Sequence, residues 1–228
     1  MPKSRDKSIA RIVIDALMGT VLVLVMATAL VDEAPHEYLG LALLALVIVH
    51  VILNRRWFTT LRRGRWTAVR ALQAASVLGL VVCIVGQGAS AVVLSKHALA
   101  FLPAIPGSAL ARSVHLVCSH WTFIFVFAHV GLQAKNVFRR IGKTISANHA
   151  LLWTFRIGIA AVTAFGAVSF VQLGLPAYLT GQVKFAEGDP NVLFACVRWA
   201  SVAMLVSTVF HCLRSALESS GRKPRRLR

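Results

Sequence analysis

Four histidines pose the first chemical question. His36 and His50 stand fourteen residues apart, and so do His115 and His129. Imidazole is the commonest protein ligand for transition metals, and two facing imidazoles hold a haem iron in a six-coordinate state suited to electron transfer. Each pair lies inside a long apolar segment. Fourteen residues close almost four helical turns, so the members of a pair share a helix face, roughly 21 Å apart along the axis. That distance is most of the ~30 Å hydrocarbon core of a bilayer. Two helices, each with a histidine near both membrane faces, are what two stacked bis-histidine haems require. The residues therefore point to two non-covalent b haems. His36 and His115 would ligate one iron, and His50 and His129 the other.

The elements that must position these rings are legible from composition. The chain has 228 residues, of which 57% are hydrophobic, with a mean hydropathy of +0.71. Only 14% are charged, against about 25% in a soluble protein. Six apolar runs are long enough to span a bilayer, at about 9–31, 36–56, 68–95, 112–135, 148–172 and 191–214. The fold class expected is all-α, an integral membrane bundle of six transmembrane helices. Residues 1–215 form one haem-binding domain and 216–228 a basic cytoplasmic tail. The first run follows Lys3, Arg5 and Lys7 like a signal peptide, but its apolar stretch is too long for one, so it reads as an uncleaved span. Pro35 suits the start of the second helix, and Pro103, Pro106 and Gly107 mark a break before the fourth. The stretch 173–190, with Gly174, Pro176, Gly181, Gly188 and Pro190, reads as a loop.

A net charge of +17 raises the question of nucleic acid. Its distribution answers no, because the basic residues fall between apolar runs, in alternating connections. With the N-terminus in the cytoplasm, one side holds Lys3 to Arg11, Arg55 to Arg70, Lys135 to Arg156 and Arg214 to Arg228. The other keeps only Lys96, Arg112, Lys184 and Arg198. By the positive-inside rule both termini are cytoplasmic, in the inner (cytoplasmic) membrane of the cell. The second and fourth spans then run the same way. His36 and His115 share the outer level, and His50 and His129 the inner one.

The face through His36 continues with Gly40, Leu43 and Val47 to His50, and the facing stripe carries Ser119, Thr122 and Val126 before His129. Small residues admit a flat cofactor, although they equally mark helix packing in membranes. Haem propionates call for cations. Arg55 and Arg56 follow the inner end of the His50 helix, and Lys96, Arg112 and Arg198 lie toward the outer end. Lipid headgroups would serve Arg55 and Arg56 equally well. Arg11 and Asp15 are spaced to pair at i, i+4. His120 is out of phase with His129; a neighbour of the outer haem, a proton carrier and simple packing all remain open for it. His211 could face quinone or a partner, or sit at the interface. The four cysteines, Cys83, Cys118, Cys196 and Cys212, read as buried packing, and no Cys-x-x-Cys-His motif attaches a haem covalently.

At these residues the chain resembles the flavinylation-associated transmembrane cytochromes. The matching stretches are Arg11-Ile-Val-Ile-Asp15, His36-Glu-Tyr-Leu-Gly40 through His50, and Asn54-Arg55-Arg56-Trp57. Ala111-Arg112-Ser113-Val114-His115-Leu116 and Ala128-His129-Val130-Gly131-Leu132 complete them. The resemblance covers residues 8–135 well and the last two spans loosely. It implies a haem-bearing helical bundle that passes electrons toward extracytoplasmic flavoproteins or other redox partners. The family pattern has an aromatic where this chain has His120, which favours His115 as the outer ligand, and Gln133 stands where a further histidine is frequent.

The function expected is a di-haem b-type cytochrome that moves electrons across the membrane to or from an extracytoplasmic redox partner, a flavoprotein by resemblance, with quinone a further candidate. The chain is an electron-transfer subunit more than a stand-alone enzyme, and it has no nucleotide-binding glycine fingerprint. Two other classes compete: a histidine-using metal-ion or proton transporter, and a cofactor-free membrane anchor. A transporter calls for carboxylates or broken helices near the midplane, and no span carries an Asp or Glu there, Asp15 lying near one end of its span.

Overall fold

The computed structural model describes residues 3–28, 33–61, 66–103, 105–145, 149–183, 185 and 189–220. Eight helices follow one another among them: α1 (Lys3–Thr28), α2 (Glu33–Asn54), α3 (Arg56–Leu61), α4 (Ala68–Leu94), α5 (Ser108–Ile145), α6 (His149–Gln172), α7 (Leu175–Leu179) and α8 (Val192–Ser220). Six of them, α1, α2, α4, α5, α6 and α8, are long and apolar enough to cross a membrane. The chain is therefore a multi-pass helical membrane protein, as its apolar runs predict.

The residue pattern explains the breaks. Pro35 sits in the first turn of α2, where its missing N–H has no intrahelical partner to lose. Thr67 caps α4 through its side chain, which accepts from the Arg70 N–H at 3.2 Å. Gly107, at φ 104°, turns the chain into α5 in a conformation that other residues avoid.

Three features depart from the sequence reading. Helix α5 runs on to Ile145, well past the span expected to end near 135, because nothing between Lys135 and Ile145 breaks a helix. Helix α8 likewise continues to Ser220, so the start of the expected tail is helical. The stretch 173–190 holds a short helix, α7, whose Leu175 and Tyr178 are buried in the bundle. The remainder of the tail, 221–228, lies outside the described residues, as do Arg62, Arg63, Arg65, Lys184 and Gly188.

The core is built by α5 and α8 with the second half of α1. Phe123, Ala128, Trp199, Val202, Leu22 and Met26 lie at its centre. Close approach depends on two glycines. A Cβ on Gly131 would overlap the Ser207 carbonyl of α8, and one on Gly166 of α6 would overlap the Ser201 carbonyl. Small residues that let backbones meet are what helix association in lipid requires. Elsewhere the surface is apolar: Leu78, Val82, Val85, Ile157 and Val171 are all exposed. A belt of this kind is a lipid face, since a water-soluble monomer rarely shows so much contiguous apolar surface.

Helix α2 is the exception that matters. None of its residues is buried. It packs along α1, and its backbone makes no substantial contact with α5. The helix with His36 and His50 thus stands apart from the helix with His115 and His129, and side chains alone cross the space between them.

Candidate functional site

Side chains across that space meet where the spacing predicts. The His36 and His115 rings lie with centroids 6.2 Å apart and planes at 69°. At the other level, His129 is within electrostatic reach of both His50 and Asp15. Helices α2 and α5 are therefore parallel, with the histidines paired by depth as expected. The two levels differ in closeness, because His50 and His129 make no ring contact like that of His36 and His115.

What fixes each ring is the more telling observation. Nδ1 of His36 lies 3.1 Å from the Val25 carbonyl. That carbonyl belongs to the last turn of α1. The imidazole Nδ1–H donates to it, so Nε2 keeps its lone pair. Nδ1 of His115 lies 3.2 Å from Ser90 Oγ on α4. Ser90 donates its own proton to the Gln87 carbonyl at 2.9 Å, and the same carbonyl is a partner of the His115 ring, so this turn of α4 fixes the imidazole. Nδ1 of His50 lies 2.7 Å from Asp15 Oδ1 on α1. Asn54 donates to the His50 carbonyl at 2.9 Å and steadies the same turn. Nδ1 of His129 is buried with no hydrogen-bond partner among the described residues, and so is Thr122 Oγ1, two turns earlier on the same face.

Three rings with Nδ1 anchored follow the pattern of metal-ligating histidine, whose second nitrogen is held by a carbonyl, hydroxyl or carboxylate. Their separation fits haem iron. An iron–nitrogen bond of about 2 Å plus roughly 1 Å to each ring centre puts two axial imidazole centroids about 6 Å apart. A Cβ placed on Gly40 would meet nothing within 4 Å, so this glycine, one turn beyond His36, keeps an open face and not a helix contact. The residues present therefore fit two haems, with the outer level the better formed. Among the described residues no three His, Cys, Asp or Glu side chains gather into a metal cage. A haem asks the protein for two ligands, whereas an ion site of a metal transporter asks for more.

The cationic candidates divide. Arg55 and Arg56 follow α2 and are exposed. Arg112 lies over the Phe185 ring at 5.5 Å. Lys96 pairs with Glu33 at 2.8 Å. Arg198 is 3.5 Å from Asp189, with both side chains largely buried. Of these, Arg112 stands nearest in sequence to a predicted ligand, three residues before His115, and Arg55 and Arg56 follow His50 by five and six. The expected Arg11–Asp15 pair does not form. Asp15 turns to His50, and Arg11 donates to the Leu53 carbonyl at 2.9 Å, because both groups find partners on α2 better placed than each other.

His120 belongs to the core. Its ring stacks on Tyr178 at 4.1 Å with planes 7° apart, and its Nδ1 lies 2.7 Å from the Leu116 carbonyl. Of the three possibilities left open for it, packing is the one the structure displays, with the ring also within electrostatic reach of His115. Of the cysteines, Cys83 is buried, but Cys212 is exposed on the apolar surface of α8.

Sequence reasoning missed Glu37. Its carboxylate accepts from Ser95 Oγ at 2.7 Å and from the backbone N–H groups of Lys96, His97 and Ala98 at 2.8, 3.1 and 2.8 Å. This nest ties α2 to the end of α4 one residue from His36, so α1 and α4 together set the position of that ring. An acid directly after a candidate ligand was the available signal. No family model, no curated protein and no solved structure matches the chain.

Proposed function

We propose that this protein is a transmembrane b-type cytochrome with two haems that carries electrons across the membrane to or from a redox partner on the extracytoplasmic side. The observation that carries the reading is the His36–His115 pair, 6.2 Å apart, with both Nδ1 atoms engaged. When bound, each haem supplies a one-electron ferric/ferrous couple. The protein's part is to hold the rings. Val25 and Ser90 set the tautomers of the outer pair, Asp15 sets that of His50, and the Glu37 nest fixes the outer end of α2. Arg55 and Arg56 at the inner level, and Arg112 at the outer, supply cations for propionates. Two levels of ligands about 21 Å apart serve transfer between faces better than chemistry at one face. The partner supplies the terminal chemistry, and by the sequence resemblance it is a flavoprotein. The test is a pyridine haemochrome assay on protein purified from haem-replete cells, which should give about two haems per chain, as two ligand levels require. Protein that emerges free of haem ends the reading.

The same reading puts both termini in the cytoplasm, with the protein in the inner (cytoplasmic) membrane of the cell, on the bias of basic residues. A reporter that needs the extracytoplasmic side for activity should be silent when fused after Arg228 and active when inserted near Gly107. The reverse pattern would invert both the topology and the assignment of levels.

A further inference from the structure

The four Nδ1 atoms have three different partners, and one has none among the described residues; this asymmetry carries a consequence for the direction of electron flow, and it rests on the two-haem reading. His36 is held by a backbone carbonyl, His115 by a hydroxyl, and His129 by nothing among the described residues. His50 alone is held by a carboxylate, Asp15, at 2.7 Å. We infer that Asp15 makes the His50–His129 site the lower-potential of the two, so that electrons run from that level to the His36–His115 level.

The reason is electronic and electrostatic. A carboxylate that accepts the Nδ1–H pulls the proton away from the ring and raises the basicity of the other nitrogen. A more basic ligand gives more density to iron and stabilises the ferric state. The negative charge acts the same way, since it favours the more positive of the two oxidation states. The neutral carbonyl of Val25 and the hydroxyl of Ser90 do neither to the same degree.

The charges around each level leave this difference standing. Asp15 lies within the candidate span that begins at Ile9, where a carboxylate is kept only for a purpose and with a partner. Arg11, the nearest cation on its own helix, directs its guanidinium to the Leu53 carbonyl. At the other level, the acids are spent on the protein. Glu37 sits in its nest of N–H groups, and Glu33 pairs with Lys96. Glu37 lies within electrostatic reach of His36, but its carboxylate is shared among four donors, and neither acid accepts from a ligand ring as Asp15 does from His50. The internal step is balanced within the protein: one electron leaves the inner site and one arrives at the outer site, with no proton and no bond change. In the proposed topology this runs outward, toward a partner that accepts electrons on the extracytoplasmic face.

The experiment is a spectroelectrochemical titration of the haem-loaded protein and its Asp15→Asn variant. Wild type should show two one-electron transitions. In Asp15→Asn the lower one should rise by about 59 mV or more, the equivalent of a tenfold change in the ferric/ferrous ratio, while the upper stays in place. Asp15→Glu, which keeps the carboxylate, should stay near wild type. If neither transition moves, or only the upper one does, the inference is overturned. Should Asp15→Asn lose its inner haem, single-site proteins decide. His115→Ala retains the inner site and His50→Ala the outer, and the inner potential must be the lower. Equal or reversed potentials overturn the inference. Wild-type protein without haem defeats the two-haem reading instead, and so the two failures are told apart.

Discussion

Replacing His115 with alanine is expected to take the haem content from about two per chain to about one, and His36→Ala should do the same. Each ring would supply one of the two nitrogens that hold the outer haem, and with one of them removed packing and propionate contacts alone would hold it. The remaining haem, at the His50–His129 level, should keep its low-spin spectrum. Free imidazole added to the His115→Ala protein should restore the outer site, because the space left by the ring is open to a ligand of the same shape. His120→Ala provides the contrast. Its ring stacks on Tyr178 and touches Trp199 in the core, so this variant should retain both haems. Its cost should fall on thermal stability, with the loss of an aromatic contact contributing about 0.5–1.5 kcal/mol. Haem-to-chain ratios and melting curves of the three variants measure this directly. A His120→Ala protein that lost the outer haem while His115→Ala kept it would exchange the roles of the two residues.

The contrast between His115 and His120 also shows where sequence reasoning reached and where it stopped. Helical phase separated the two, because five residues turn the helix too far for both rings to face α2. The same periodicity placed six spans and matched the histidines by depth, and the structure brings His36 to His115 as that matching requires. Partners of the ring nitrogens were another matter. Val25 and Ser90 reach the rings from other helices, and one of them contributes only a backbone carbonyl, which no residue type announces. Asp15 was visible as an acid inside the first span, yet the local i, i+4 rule assigned it to Arg11. The tertiary contact with His50 won because α1 packs along α2 and presents the carboxylate to the ring at a depth where an unpartnered charge is costly. Glu37 escaped for the same reason, since its partners are the backbone N–H groups of a loop some sixty residues away. The stretch 173–190 was misread because its glycines and prolines are real: Gly174 and Gly181 both adopt positive φ. Between them, though, Leu175 and Tyr178 return to the core and make α7 part of the bundle.

Liposome-embedded wild-type protein, with an electron acceptor trapped inside and a membrane-impermeant reductant outside, is expected to reduce the trapped acceptor, and His50→Ala or His129→Ala is expected to abolish that activity. The argument is one of distance. Ligands of the outer pair lie roughly 21 Å along the helix axes from those of the inner pair, and the hydrocarbon core is about 30 Å thick. With both sites filled, no gap in the path approaches the full thickness of the membrane. With the inner site lost, one gap spans most of it, and electron transfer across such a gap is too slow to register. Single replacements at the inner level should therefore act as all-or-none, unlike Asp15→Asn, which keeps both ligands and changes only the driving force. His120→Ala should conduct like wild type, because its ring lies in the α5–α7–α8 core and not between α2 and α5. Orientation in the liposome does not affect the outcome, since a path through two levels conducts from either face. Conduction by His50→Ala and His129→Ala at the wild-type rate would show that electrons do not cross by way of the inner pair, and the protein would then be a redox or structural component acting at one face of the membrane.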